Sequence, residues 1–175
     1  MEEKKAMVKR KNKTKKEKII LGIIIVLIIV VDQLTKIYMI SKGDITQNTK
    51  PAYGIGSNST FMYVVTNLVI LSIIFKFMTT QNEYVALKQK VFLSFILAGG
   101  ISNVIDRVFR WYVTEFIEIP YLPVWNIADI FVILGWMGTA AIFASFTVNE
   151  WRNSKTKKQK SSLDQEEKKC KWKNL

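Results

Sequence analysis

Thirteen consecutive apolar or Gly residues run from Ile19 to Val31 without a polar break. The block continues through Asp32, Gln33, Leu34, Thr35 and Lys36 to Ile40, giving 22 residues. A helix rising about 1.5 Å per residue needs roughly 20 to cross a hydrocarbon core of about 30 Å. Three further blocks follow: Phe61 to Met78, carrying Asn67 and Lys76; Val91 to Val108, with Asp106 and Arg107 at its end; and Ile127 to Val148, with Asp129 near its start. Their length, rather than an amphipathic stripe, separates them from strands and surface helices. The pattern predicts an all-α membrane protein of four transmembrane helices. A signal peptide shares the layout of the first block, but no small-x-small cleavage site follows it and three more spans do, so a retained anchor is expected.

Charge orients the spans. The formal net charge is +12, yet residues 1–18 carry nine Lys/Arg against three acids and residues 149–175 carry nine against four. The body between them, residues 19–148, holds eight basic and seven acidic residues and is nearly neutral. The chain therefore divides into a basic tail, a four-helix membrane domain and a second charged tail. Basic flanks beside short loops belong on the cytoplasmic side, so both termini are expected in the cytoplasm of a cell whose plasma membrane holds the protein. Loops 41–60 and 109–126 then lie outside, and loop 79–90, with Lys88 and Lys90, lies inside. Membrane lipids are the expected partner of the tails. Nucleic acid is not, because the aromatic residues that could stack bases sit in the apolar blocks, apart from Trp151 and Trp172.

This orientation gathers the acids. Asp32 lies thirteen residues beyond Ile19, about 20 Å along a helix and so in the outer half of the membrane. Asp106 and Arg107 close an outward-running helix, Glu115 and Glu118 lie in the outer loop, and Asp129 opens an inward-running helix. Ionisable groups in or near hydrocarbon are costly and mark function by default. Each also has a plainer reading. Asn126 three residues before Asp129 is the spacing of a helix N-cap with an acid in the first turn. Asp106 beside Arg107 fits an interfacial ion pair, and Asp32 with Lys36, one helical turn apart, fits mutual neutralisation and bracing of helices. Tyr63, Trp111, Tyr112 and Trp125 fit interfacial anchors.

The chain has no His, and its single Cys170 lies in the C-terminal tail. Zinc clusters, Ser/His triads and Cys/His nucleophiles are thereby excluded, and hydrolytic chemistry here has to use carboxylates, with no metal and no cofactor expected. Two acids that share a proton can activate water and protonate a leaving amine. A proton or ion pathway would need acids distributed across the bilayer rather than near one face.

Asp32, Gln33, Thr35 and Lys36, followed by Asn48, Ala52, Tyr53 and Gly54, resemble the opening motifs of lipoprotein signal peptidases, also called signal peptidase II. Gly99, Gly100, Asn103, Asp106 and Arg107 resemble that family's third motif, and Trp125, Asn126, Ala128 and Asp129 its last. The resemblance covers roughly residues 19 to 140 and implies an intramembrane aspartic peptidase of the bacterial plasma membrane. Such an enzyme cleaves diacylglyceryl-modified prolipoproteins before the lipidated Cys, near the extracytoplasmic face. Carried over by position, its two catalytic aspartates fall on Asp129 and on Glu115, where Val113, Thr114, Glu115 and Phe116 stand for the family's Val-Val-Asp-Phe. Asn48, Asn103, Arg107 and Asn126 would orient substrate and carboxyls, while Asp32, Lys36 and Asp106 would support them. Lys50 and Pro51 replace the Gly and Ala expected after Asn48, and Ile130 replaces the usual Ser. Glu115 and Lys50 motivate the alternative of a catalytically silent relative that binds lipoprotein precursors.

Overall fold

The structure is a computed structural model that describes residues 2–49, 60–80 and 85–173. Lys50, Pro51, Ala52, Tyr53 and Gly54 lie outside the described residues. Four α-helices dominate: α1 (Glu2–Lys42), α2 (Thr60–Thr80), α3 (Leu87–Arg110) and α4 (Ile127–Lys173). Each contains a stretch long and apolar enough to cross a membrane, and the four apolar blocks of the sequence fall on these stretches. The chain is thus an all-α membrane protein with four such helices. α1 and α4 also run as helix through most of the two charged tails.

Helix ends follow local chemistry. α1 stops where Gly43 adopts φ +75°, its N–H bonded to the Ile40 carbonyl at 3.1 Å, the left-handed closure that glycine permits. α3 ends on Trp111, also left-handed at φ 67°. The following residues form β2 (Val113–Glu115), which pairs antiparallel with β1 (Thr46–Asn48). Loops 41–60 and 109–126 contain this two-stranded pair, whose three-residue strands are too short to leave a period in the sequence.

The chain divides into two compact units, residues 1–138 and 139–175. In the first, α3 is the central element, with 61% of its apolar window buried against 17%, 11% and 11% for the windows of α1, α2 and α4. α1 and α2 pack against it through Leu21, Leu71, Leu93, Ile96, Leu97 and Val104. The other helices turn large apolar side chains such as Leu34, Ile73 and Leu134 outward, as lipid-facing surfaces do. Small residues let the first turns of α4 approach α3: a Cβ on Gly99 would stand 2.7 Å from Val132 Cγ2, and one on Gly135 2.7 Å from the Phe92 carbonyl oxygen. Close backbone approach is what helix association in lipid relies on. Toward the start of α3, Lys90 meets Glu17 of α1 at 3.6 Å. The second unit is the remaining length of α4, where the Lys155 ammonium lies 3.9 Å from the Trp151 ring centroid.

Candidate active site

Asp32 and Gln33, with Lys36 one turn further along α1, meet α3 at Ser102, Asn103, Asp106 and Arg110. The Lys36 ammonium has three protons and three acceptors: Asp32 Oδ2 at 2.7 Å, Asp106 Oδ2 at 2.9 Å and Asn103 Oδ1 at 3.1 Å. Lys36, Asp32 and Asp106 are all fully buried. Arg110 adds a second cation, pairing with Asp106 Oδ1 and donating to Gln33 Oε1 at 3.0 Å. Two carboxylates thus face two cations, the balance a buried cluster needs when each unpaired ion would cost several kcal/mol. The remaining acceptor sites are filled. Ser102 Oγ donates to Asp32 Oδ2 at 2.7 Å, the Thr114 backbone N–H to Asp106 Oδ2 at 3.1 Å, and Gln33 Nε2 to Asp106 Oδ1 at 2.9 Å. The interfacial pairing expected of Asp106 is therefore replaced by buried partners, Lys36 and Arg110.

The cluster fixes the start of α4. Asp32 Oδ1 accepts the Ala128 backbone N–H at 2.8 Å, which places an anion at a helix N-terminus, where the dipole favours it. Asn126 is the N-cap: its Oδ1 accepts the Asp129 N–H at 2.9 Å while Asp129 Oδ2 accepts the Asn126 N–H at 3.1 Å. This reciprocal capping box holds the Asp129 carboxyl in one direction. The other oxygen, Oδ1, accepts from Asn103 Nδ2 at 2.8 Å. Asn103 is oriented in turn, because its Oδ1 takes Lys36 Nζ and Asn126 Nδ2, both at 3.1 Å. Only with the amide oxygen facing those donors does the amide nitrogen face Asp129. Capping and placement of the acid are thus one arrangement.

Glu115 arrives from β2. Antiparallel register sets Thr46 opposite Glu115 and Asn48 opposite Val113, so Asn48 and Glu115 are diagonal neighbours on one face. Asn48 Nδ2 donates to Glu115 Oε1 at 2.7 Å. Beyond Glu115 the chain folds back through a turn with Leu122 N–H on the Ile119 carbonyl and Tyr121 at φ 68°, and Ile117 pairs with Trp125. That return delivers Asn126 to the head of α4. Burial is the main cause that raises the Glu115 pKa above the ordinary carboxylate range; the Asn48 bond opposes it, Asp129 adds to it, and Arg107 and Lys36 oppose it.

A stability consequence follows. The folded protein binds the Glu115 proton more tightly than the unfolded chain does, so stability falls as pH rises from the unfolded value of about 4.3 through the folded one. Glu115→Gln should therefore unfold at a higher temperature than the parent near pH 7, with the gap closing toward about pH 4. Thermal unfolding in detergent at the two pH values checks this, and a variant less stable at neutral pH would contradict it.

The structure brings together Asp32, Lys36, Asn48, Asn103, Asp106, Glu115, Asn126 and Asp129 through these contacts. Glu118 is exposed and apart from them. Arg107 is buried, with its guanidinium carbon 3.8 Å from the Tyr63 ring centroid, so Tyr63 packs on the site rather than serving only as an anchor. Ser102, Thr114 and Arg110 were not singled out as site residues. Ser102 and Thr114 adjoin Asn103 and Glu115, and that adjacency was the one available signal. Among the described residues, no group of three or more His, Cys, Asp or Glu side chains is placed to hold a metal ion.

This chain and its arrangement of helices have counterparts. The family described as signal peptidase (SPase) II matches residues 24–146. The lipoprotein signal peptidase of Clostridium acetobutylicum is 33% identical over 127 residues, covering 61% of this chain and 82% of that protein. The lipoprotein signal peptidase of Clostridium novyi is 30% identical over 134 residues, covering 65% and 89%. A solved structure of a bacterial membrane enzyme superposes with a TM-score of 0.68 at 26% identity, covering 74% of this chain and 90% of that one. The fold is that of a polytopic membrane protein with four helices long enough to span the bilayer. The chain belongs to the signal peptidase II family.

Proposed function

We propose that the protein is an aspartic-type endopeptidase that removes signal peptides from diacylglyceryl-modified prolipoproteins, using Asp129 and Glu115 as its catalytic pair. The observation that carries this reading is the convergence of two carboxyls, one locked at the head of α4 and the other delivered by β2, with Asn126 Nδ2 of the α4 cap donating at 3.2 Å to the carbonyl of Thr114 beside Glu115. Asp129 makes acceptor contacts through both oxygens, which is how an ionised carboxylate bonds, so it serves as the base. Glu115, holding its proton above the usual range, serves as the acid. Water between them loses a proton to Asp129 and attacks the scissile carbonyl carbon. Glu115 then protonates the amide nitrogen as the C–N bond breaks. The bond is the one before the lipidated Cys, with both termini cytoplasmic and the pair near the extracytoplasmic face of the bacterial plasma membrane.

Glu in place of the family's Asp supports a second reading, a silent relative that binds precursors. The Asn48 bond argues against it. Shortening the side chain by one C–C bond withdraws the carboxyl by about 1.5 Å, which would break the 2.7 Å contact. The bond supports a site fitted to Glu at this position. A gel-shift assay of purified protein on a diacylglyceryl-modified precursor tests both readings, with a known peptidase validating the substrate. Cleavage by the parent is expected, and Glu115→Asp should be slower, on the order of a hundredfold for a displacement near 1 Å. No cleavage by the parent, restored by Glu115→Asp, would establish the binding protein instead.

A further inference from the structure

Among the described residues, α2 contributes none of the hydrogen bonds that hold Asp129 and Glu115, yet it reaches the site through the Tyr63 ring. The Arg107 guanidinium carbon lies 3.8 Å from the Tyr63 ring centroid, well inside the roughly 6 Å over which a cation is attracted to an aromatic face. Arg107 is 2% exposed, in the last turn of α3. Tyr63 matches none of the motifs on which the family resemblance rests.

We propose that Tyr63 is a positioning residue: its ring holds the Arg107 guanidinium within electrostatic reach of Glu115 and so couples α2 to the catalytic pair. Among the described residues, four groups from β1, α1, α3 and α4 bear on Glu115, and α3 is tied to β2 directly because Asp106 Oδ2, next to Arg107, accepts the Thr114 N–H at 3.1 Å. The four are Asn48 from β1, Lys36 from α1, Arg107 from α3 and Asp129 from α4. Asn48 is neutral. Lys36 and Asp129 are fixed by the bonds described above. Arg107 bears on the proton of Glu115 in the opposite sense to burial and Asp129, and the Tyr63 face is a contact that sets where its charge sits. Cation attraction needs the ring, not the hydroxyl. Tyr63→Phe should preserve the arrangement, whereas Tyr63→Leu and the milder Tyr63→Met should remove the ring face and let the guanidinium shift, its other contacts remaining.

The catalytic part of this inference rests on the proposed role of Glu115; the effect on Glu115 itself does not. The test is therefore an infrared titration of the purified full chain in lipid nanodiscs, with the Glu115 carboxyl band isolated by difference from Glu115→Gln. The Phe variant should titrate as the parent does. The Leu and Met variants should keep the proton to higher pH by up to about one unit, roughly tenfold in proton affinity. The Glu115-dependent limb of the cleavage profile should move with the band. Unshifted titration in whichever of Leu and Met folds would overturn the proposal, as would a shift of equal size in Phe. A shift in Leu and Met with no cleavage by any form, the parent included, would uphold the positioning role and remove the peptidase reading.

Discussion

Asp129→Asn is expected to reduce cleavage of a diacylglyceryl-modified precursor by about 10²- to 10⁴-fold, the range lost when a positioned acid or base is removed. The side chains are nearly the same size, so the capping box loses little: an amide oxygen still accepts either the Asn126 N–H or Asn103 Nδ2. What the amide lacks is a basic site for the proton of water. Its NH2 group also meets an N–H donor where a carboxylate oxygen accepted that donor, so a modest loss of stability accompanies the loss of rate. The effect should fall on kcat, with KM nearly unchanged, because the interaction removed is made in the transition state. Purified variant and parent compared by gel shift over a substrate series decide it. Cleavage by Asp129→Asn at a rate close to the parent's would place the chemistry elsewhere.

The four helices were legible because membrane spans are written in length and hydropathy, which need no tertiary information. Asp32, Lys36 and Asp106 stood out because charge in an apolar block is costly enough to require a reason, whereas Asn103 was marked only by the family resemblance. Their pairing was only half legible. The one-turn spacing of Asp32 and Lys36 lies within a helix and can be counted, but Asp106 as a second acceptor for Lys36 depends on how α1 packs on α3. Neighbouring residues suggested that Asp106 and Arg107 form a pair; the cross-helix partner won, because Lys36 is buried with both carboxylates and the partly exposed Arg110 balances the remaining charge. Asn126 and Asp129 were legible as a cap, since capping is local. The bond from Asn48 to Glu115 was not, because it depends on strand register between loops far apart in sequence. The Tyr63 contact was hidden for a related reason: a Tyr near a helix end has the same sequence appearance whether its ring meets lipid or a guanidinium.

Lys36→Met should remove both stability and activity, and the two losses have separable causes. The substitution leaves Asp32 and Asp106 fully buried with Arg110 as the remaining cation of the cluster. Breaking a buried pair in this way costs about 3–5 kcal/mol, because an uncompensated charge is left behind. The Asn103 amide oxygen also loses one of its two donors, so the amide is no longer forced to present its nitrogen to Asp129. The double variant Lys36→Met, Asp32→Asn restores the charge balance, with Asp106 facing Arg110, and should recover a large part of the stability. Activity should stay low, because the orienting donor to Asn103 is still missing and the anion that capped Ala128 is gone. Unfolding in detergent read beside cleavage of the precursor separates the effects. Recovery of both properties in the double variant would reduce Lys36 to a counter-ion, whereas recovery of stability alone makes it the group that aims Asn103, and through it Asp129, at the substrate.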